Sequence, residues 1–363
     1  MAKNIVVLSD GTGQEGGEGE PSNVYQMFKM LENRTDRQVV FYDQGVGTGW
    51  RKLTGNVAGM GISHNIRESY RFIFEHFEAG DAIYLIGFSR GAATMRSLSS
   101  FIHYYGMLPK SRPELIKQAF DVYRTSAREE RKKRADEFVA RHHTMWTRIR
   151  FLGCYDTVAA LGLPFPMASA LLDGLPGFRH KFHDFTLSES VENAYHALAI
   201  DDERRTFHPM LWDAEVVDDS YQSVRQVWFA GMHTDIGGGY PERGLSDIAL
   251  AWLTRQAAAH DLRIFPKHPV DVKEDAAGVM HDSRGRAVTK LYRQKAREWD
   301  SRREDTPIVH ESVIRRSEST DLPGGEPYEP WILSIDHDIE PWRVDVETED
   351  AQTEPAVVRR APS

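Results

Sequence analysis

An apolar run that stops abruptly at a Gly-x-Ser-x-Gly motif constrains the fold of this chain more than any other feature. Residues 83–86 read Ile-Tyr-Leu-Ile, residues 87–91 read Gly-Phe-Ser-Arg-Gly, and apolar residues then recur at helical spacing. A buried strand, a tight glycine turn and a helix would leave the Ser89 hydroxyl projecting from the edge of a sheet. The motif therefore predicts a nucleophile elbow. The alternative is an ordinary strand–turn–helix corner with a solvated serine.

Length and charge limit the class of protein. A chain of 363 residues suits one large α/β domain with insertions, and 40% apolar with 27% charged residues is an ordinary globular composition. The net charge of −9 disfavours a nucleic-acid partner, because phosphate binding requires a concentrated basic surface. We therefore expect no nucleic-acid partner.

Cysteine content and hydropathy bear on where the protein works. The single cysteine, Cys154, excludes an intrachain disulfide and weakly favours a reducing compartment. The N-terminus lacks the apolar region and cleavage site of a signal peptide, and no stretch reaches about 18 apolar residues. We expect a cytoplasmic protein with no transmembrane segment, unless a dedicated secretion machine exports it folded. Peripheral contact with a membrane stays open.

Polar residues also end three other predicted strands. One strand near the N-terminus ends in Ser-Asp-Gly-Thr at 9–12, another ends at Asp156, and a third runs into a Gly-Met-His segment that contains His233. Helical segments between the strands predict a parallel βαβ series with reactive groups at the carboxyl ends of the strands. There Asp156 could orient a histidine, and His233 could act as general base for Ser89. A turn aspartate and a structural histidine are the alternatives.

The glycine-rich end of the first strand is a candidate for oxyanion binding. Gly11 and Thr12 lie where a backbone can approach a substrate closely and donate an N–H group. A flexible loop is the alternative interpretation.

Composition along the chain predicts three regions. Residues 1–265 form a catalytic domain that includes a charged helical insertion at about 109–147, residues 266–350 form an extension packed on the same domain, and residues 351–363 form a disordered tail. The apolar, proline-rich segment 161–177 could wall an acyl pocket, serve as a lid or be a buried connector.

Seven segments in one order resemble the DUF2235 family, which includes the catalytic modules of Tle1-like type VI secretion phospholipase effectors. They are Ser-Asp-Gly-Thr at 9–12, Ser-Asn-Val at 22–24, Tyr-Asp-Gln-Gly-Val-Gly at 42–47, Gly-Phe-Ser-Arg-Gly-Ala at 87–92, Tyr-Asp-Thr-Val at 155–158, Ala-Leu-Ala-Ile-Asp-Asp-Glu-Arg at 197–204 and Trp-Phe-Ala-Gly-Met-His-Thr-Asp-Ile-Gly-Gly-Gly-Tyr at 228–240. The resemblance covers about residues 3–260. It implies an α/β-hydrolase fold, with a mostly parallel central sheet flanked by helices, and a Ser-Asp-His triad.

The resulting hypothesis is a serine hydrolase for carboxylic esters, of lipase or phospholipase type, with a short-chain carboxylesterase as alternative. Ser89 attacks the ester carbonyl, His233 takes the serine proton, and Asp156 holds the imidazole. The N–H groups of Arg90 and of Gly11 or Thr12 bind the oxyanion. This chemistry requires no metal or organic cofactor. The resemblance also leaves export by a type VI secretion system open.

Two other assignments of the chemistry stay open. The common residue order of α/β-hydrolases favours Asp235 with His310, but Asp156 and His233 end separate strands inside the region of resemblance. A metal-dependent hydrolase could use Asp10, Asp156, His233 and Asp235, although the sequence has no compact ligand pair such as His-x-x-x-His. A catalytically inactive binding module is disfavoured because Ser, Asp and His are all present.

Overall fold

A central parallel sheet organises the protein. The computed structural model describes residues 2–11, 19–33, 35–45, 56–158, 185–213, 218, 220–285 and 293–342, except the side chains of residues 56–61. Within these residues the strands are β1 (Asn4–Ser9), β2 (Gln38–Asp43), β3 (Ala82–Phe88), β4 (Phe151–Tyr155), β5 (Asn193–Ala199), β6 (Ser223–Phe229), β7 (Ile308–His310) and β8 (Asp338–Glu340). The described strands form one eight-stranded sheet in the order β2-β1-β3-β4-β5-β6-β7-β8, and every pair is parallel. The predicted α/β fold class is confirmed.

Helices cover both faces of this sheet. They are α1 (Asn23–Met30), α2 (Asn56–His76), α3 (Arg90–Tyr105), α4 (Leu115–Tyr123), α5 (Arg128–His142), α6 (His233–Gly237), α7 (Gly244–Ala259) and α8 (Glu311–Ser317), with short 3₁₀ turns at Arg205–Phe207 and Trp331–Ser334. The helices α4 and α5 lie in the segment predicted as a helical insertion. Among the described helices, none is long and apolar enough to cross a membrane.

Alternation along the strands divides the core into two layers. In β1, Ile5 and Val7 join one buried cluster, whereas Val6 and Leu8 join the other. Successive side chains of a strand point to opposite faces, and both faces of a parallel sheet are covered, so its strands are apolar at nearly every position. This explains why the strand before Ser89 has a continuous apolar sequence.

Residues beyond 266 add to the same sheet. Strands β7 and β8 extend it past β6, and a third buried cluster joins Trp228 of β6 to Val309, Val313 and Ile332. The boundaries of the three predicted regions stay a prediction. The tail at 351–363 and the apolar segment 161–177 lie outside the described residues.

Candidate active site

Ser89 lies in the turn between β3 and α3 with an unusual backbone conformation. Its φ is 57° and its ψ is −120°, a strained combination for a residue with a Cβ, and such strain concentrates at functional sites. The turn is held because the Ser89 N–H donates to the carbonyl of Tyr155 at 3.0 Å and the Ala93 N–H donates to the Ser89 carbonyl at 3.2 Å. The conformation places the Ser89 side chain at the carboxyl edge of the sheet.

Close backbone packing makes this turn possible. A Cβ added to Gly91 would lie 2.0 Å from the carbonyl oxygen of Ser9, and one added to Gly87 would lie 2.5 Å from the carbonyl carbon of Gly91. No real Cβ tolerates such distances to backbone atoms. Gly91 therefore allows the start of α3 to pack directly against the end of β1, and Gly87 allows the end of β3 to pack against the first turn of α3.

The carboxyl ends of β3, β4 and β6 bring a hydroxyl, a carboxylate and an imidazole together. His233, the first residue of α6 after β6, has its Nε2 2.9 Å from Ser89 Oγ and its Nδ1 2.5 Å from Asp156 Oδ2. Asp156 follows β4 and is fully buried, with a φ of 37°. With the proton on Nδ1, His233 donates to Asp156 and its Nε2 accepts from the Ser89 hydroxyl. Such an arrangement can move the serine proton to the imidazole.

Aromatic rings and a backbone hydrogen bond fix the His233 imidazole. Its centroid lies 4.7 Å from that of Phe88 and 5.1 Å from that of Phe207. The backbone N–H of His233 donates to Asp202 Oδ2 at 3.2 Å. The ring is therefore held by neighbours on two sides as well as by Asp156.

Arg297 contacts the site, although sequence reasoning did not identify it. Its Nη1 donates to Asp156 Oδ1 at 2.7 Å and its Nη2 to Asp156 Oδ2 at 2.8 Å, and both side chains are buried. Burial alone would raise the pKa of Asp156, but the Arg297 charge and the hydrogen bonds from Arg297 and His233 hold this pKa well below its ordinary value. Asp156 is thus kept as a carboxylate.

The Asp-Asp-Glu-Arg segment after β5 supports the loop that carries His233. Asp202 accepts two hydrogen bonds from the Arg204 guanidinium, at 3.1 and 2.6 Å, in addition to the His233 N–H. Asp201 accepts from the Gly231 N–H at 2.7 Å and from the Tyr328 hydroxyl at 2.8 Å. This segment belongs to the sequence resemblance described above, but its sequence did not show that Asp201 and Asp202 hold the backbone of the His233 loop.

The candidate oxyanion donors differ in their surroundings. The Gly11 N–H donates to Asp10 Oδ1 at 2.7 Å, so a carboxylate already occupies this donor, and Thr12 lies outside the described residues. Arg90 is the first residue of α3 and directly follows Ser89, so its backbone N–H lies at the start of the helix. The start of α3 also carries the positive end of the helix dipole, which favours an anion beside Ser89.

Asp10 is a buried carboxylate in a polar network just after β1. Its Oδ2 accepts from Ser22 Oγ at 2.5 Å and from Tyr42 Oη at 2.7 Å. Burial is the largest influence and raises the pKa of Asp10 from 3.8 to about 6, against the hydrogen bonds from Ser22, Tyr42 and Gly11. The folded state therefore holds this proton more tightly than the unfolded state does.

Replacing this carboxylate by an amide should change how stability depends on pH. Because the pKa is raised on folding, the contribution of Asp10 is most favourable below about pH 4 and is lost as the pH rises through 6; a rise of this size corresponds to about 3 kcal/mol. Asp10→Asn should therefore gain stability relative to wild type between pH 4 and 7. Urea unfolding at several pH values measures this, with the exposed Asp136→Asn as control. If the free energies of unfolding of Asp10→Asn and wild type depend on pH in parallel, folding does not raise the pKa of Asp10.

The alternative acid and base have other partners. Asp235 binds His281, with 2.6 Å between Asp235 Oδ1 and His281 Nδ1, and its Oδ2 accepts the Met232 N–H at the start of α6. His310 caps α8, with its Nδ1 2.8 Å from Ser312 Oγ, and its Nε2 has no hydrogen-bond partner among the described residues. Within the described part of the chain, the structure therefore does not form an Asp235–His310 pair on Ser89.

The four residues considered for a metal do not converge on one point: Asp156 and His233 bind each other, and Asp10 and Asp235 each have other partners. Asp10 is held by Ser22 and Tyr42, Asp235 by His281, and Asp156 by Arg297 and His233. No group of three His, Cys, Asp or Glu among the described residues is placed to hold a metal ion. The geometry favours proton transfer through His233 over metal ligation at these side chains.

Comparison with known proteins identifies the family. The sequence model of the type VI secretion phospholipase effector Tle1-like catalytic domain matches residues 3–256. The chain belongs to this family. The Tle1-like match includes Ser89, Asp156 and His233, whereas His281 and Arg297 lie beyond it.

Other relatives of this Tle1-like chain are distant. The uncharacterized protein YEL023C of Saccharomyces cerevisiae is 28% identical over 230 residues, which are 56% of this chain and 32% of the relative. The crystal structure of an uncharacterized protein from Pseudomonas aeruginosa aligns with a TM-score of 0.47 at 16% identity, over 76% of this chain and 49% of that chain. The structure of the Tle1 effector bound to the VgrG spike of the type 6 secretion system aligns with a TM-score of 0.35 at 17% identity, over 66% and 52%. The matches thus cover about half of each solved chain and a third of the yeast protein.

Proposed function

We propose that this Tle1-like protein is a serine hydrolase that cleaves carboxylic esters of lipid-like molecules, as a lipase or phospholipase does. The observation that carries the proposal is the continuous hydrogen-bonded path from Ser89 Oγ through the His233 imidazole to the Asp156 carboxylate. Membership of a phospholipase effector family supports a lipid-like ester as substrate. The strained conformation of Ser89 supports its role as the nucleophile of an elbow.

In the proposed reaction Ser89 Oγ attacks the ester carbonyl carbon while its proton passes to His233 Nε2. The tetrahedral intermediate collapses, the bond to the leaving oxygen breaks, and His233 protonates the departing alcohol. Water then loses a proton to His233 and attacks the acyl carbon; the bond from this carbon to Ser89 Oγ breaks, His233 returns the proton to Oγ, and the carboxylic acid leaves. Asp156 keeps the imidazole oriented and stabilises its charged form.

The oxyanion of each intermediate requires hydrogen-bond donors. We assign one to the Arg90 N–H at the start of α3, where such a donor typically contributes about 3 kcal/mol to lowering the barrier. The second donor is the Gly11 or Thr12 N–H. The Gly11 N–H could serve only if it turned from Asp10 Oδ1 towards the substrate.

A short-chain carboxylesterase of the same fold is the second candidate, because the same three side chains would serve either substrate. For a lipid ester we also propose peripheral contact with a membrane, and the family match supports export by a type VI secretion system. Substrate length therefore has to be measured.

The test combines covalent labelling with hydrolysis of a p-nitrophenyl ester series from short to long acyl chains. We expect a fluorophosphonate to label wild type but not Ser89→Ala, and we expect a chelator to leave hydrolysis unchanged. An optimum at long chains, with release of fatty acid from phosphatidylcholine vesicles, supports the lipase assignment, and an optimum at short chains supports the carboxylesterase. Hydrolysis that survives Ser89→Ala or stops with chelator would refute the serine mechanism.

A further inference from the structure

Arg297 joins the candidate site from a part of the chain that the family match does not cover. The guanidinium is 1% exposed and donates to both oxygens of Asp156. Its Nη1 also donates to the Ala199 carbonyl at 2.6 Å and its Nη2 to the Phe207 carbonyl at 2.5 Å. This buried, bidentate ion pair links the carboxylate to the end of β5 and to the turn that carries Phe207.

We propose that Arg297 is a positioning residue for ester hydrolysis, which holds the Asp156 carboxylate in the orientation that His233 requires. The inference rests on the proposed function of Ser89, Asp156 and His233. It also makes the segment after residue 256 necessary for full activity, since Arg297 lies 41 positions beyond the end of the family match.

The hydrogen bonds of Asp156 show what Arg297 adds. Oδ1 accepts from Arg297 Nη1 and from the Ala199 N–H at 3.1 Å, and Oδ2 accepts from Arg297 Nη2 and His233 Nδ1. Without Arg297, the donors left to Asp156 among the described residues would be the Ala199 N–H on Oδ1 and His233 on Oδ2, so the carboxylate could rotate more easily. A bidentate guanidinium fixes both oxygens in one plane.

Arg297 also reaches His233 by a second route. The carbonyl that accepts from its Nη2 belongs to Phe207, whose ring packs edge-on against the His233 imidazole. One side chain thus fixes both the acid and an aromatic neighbour of the base. Small displacements at such positions lower rates strongly because the reacting atoms lose alignment.

The charge of Arg297 balances that of Asp156. Asp202, the next carboxylate near His233, is already paired with Arg204. Other titratable groups that interact with this pair are His196 on β5, Asp201 after β5 and His208 after the Arg205–Phe207 turn. Loss of the Arg297 charge would leave an uncompensated carboxylate beside His233, which favours the protonated imidazole. The acidic limb of the pH–rate profile should then move to higher pH.

A second buried arginine provides a matched control. Arg316 of α8 is also buried and donates to two backbone carbonyls, those of Ala276 and Gly278, at 2.7 and 2.8 Å. It lies in the same C-terminal part of the chain as Arg297 but is not hydrogen-bonded to Asp156. A purely structural effect of losing a buried guanidinium should therefore appear in Arg316→Gln as well.

The experiment measures kcat, KM and pH–rate profiles for full-length Arg297→Gln, Arg297→Lys and Arg316→Gln, with thermal unfolding to establish that each is folded. We expect Arg297→Gln to lower kcat about 100-fold with KM within about threefold of wild type, and to move the acidic limb up by about one pH unit. Arg297→Lys, which keeps the charge, should recover part of kcat and a wild-type acidic limb, and it is the decisive variant if Arg297→Gln does not fold. Arg316→Gln should keep the kcat and profile of wild type.

A double variant tests whether Arg297 acts through Asp156. In an Asp156→Asn background, Arg297→Gln should lower kcat by no more than about threefold further, because coupled residues are not additive. Wild-type kcat and pH profile in Arg297→Gln, or equal losses in the two arginine variants, would overturn the inference. Failure of the proposed function itself would look different, since wild type would then not be labelled at Ser89.

Discussion

Ser89→Ala is expected to lower kcat for ester hydrolysis by about 10⁶-fold. The substitution removes the oxygen that attacks the carbonyl carbon, while the His233 imidazole and the start of α3 remain. Kinetics on the best p-nitrophenyl ester, with active-site titration of wild type, would measure the change. Ser99→Ala is a matched control because Ser99 lies on α3, the helix that follows Ser89, is buried and donates to the Arg96 carbonyl.

The same measurement can show that Ser89 and His233 act as a unit. His233→Ala should cost about as much as Ser89→Ala, and the double variant should be no slower than either single variant, since members of one catalytic unit are not additive. A kcat loss in Ser89→Ala no larger than that of Ser99→Ala would contradict the assignment of Ser89 as nucleophile. If the kcat loss of the double variant equalled the two single losses combined, His233 and Ser89 would act independently of each other.

Asp156→Asn is expected to lower kcat by about 10⁴-fold, less than the loss from removing Ser89 or His233. The Ala199 N–H and Arg297 Nη1 both donate to Oδ1, so the amide oxygen of the variant should stay there and its NH2 group should face His233 Nδ1. Nδ1 must then accept, which favours the imidazole tautomer with its proton on Nε2, and Nε2 no longer serves as a base for Ser89. The measurement is kcat with KM on the same ester, and a loss below about tenfold would show that Asp156 does not orient the base.

The same substitution should destabilise the protein. Asp156→Asn leaves the buried Arg297 guanidinium without a counter-charge, which typically costs about 3–5 kcal/mol. Because the pKa of Asp156 is lowered on folding, its stabilising contribution is present above about pH 4 and is lost as the pH falls further. Asp156→Asn should therefore show a shallower loss of stability in acid, measured by urea unfolding.

A control separates these two consequences. Asp81, just before β3 at the opposite edge of the sheet, is also a largely buried carboxylate with a lowered pKa, paired with Lys3 at 2.5 Å. Although burial alone would raise that pKa, hydrogen bonds from Lys3 and Glu78 and the Lys3 charge lower it. Asp81→Asn should change stability without changing kcat. Equal losses of kcat in both aspartate variants would mean that Asp156 matters only for folding.

Sequence reasoning found three side chains that the structure joins by hydrogen bonds. Ser89, Asp156 and His233 each follow an apolar strand. Because parallel strands end at the same edge of a sheet, the sequence predicts that these three side chains lie close together. The same Gly-x-Ser-x-Gly motif predicts the Arg90 N–H as an oxyanion donor. The sequence also predicts the Gly11 N–H as a donor, but the structure shows that it already donates to the Asp10 carboxylate.

Local sequence could not separate the two candidate acid–base pairs. Asp235 and His310 also stand near strand ends, but Asp235 caps α6 and binds His281, whereas His310 caps α8. Cap residues and catalytic residues share the same side-chain chemistry. Three-dimensional distances were needed to distinguish them.

The sequence by itself determined the parallel α/β fold and the edge of the sheet at which reactive groups gather, because apolar periodicity and glycine turns are local properties of the chain. Only the tertiary structure decided which groups surround the acid and base. Arg297 lies 141 positions from Asp156, in a polar segment that resembles any solvated loop. The physical reason is that a buried ion pair forms only when two distant segments pack together, and the local sequence of neither segment predicts which other segment it will contact.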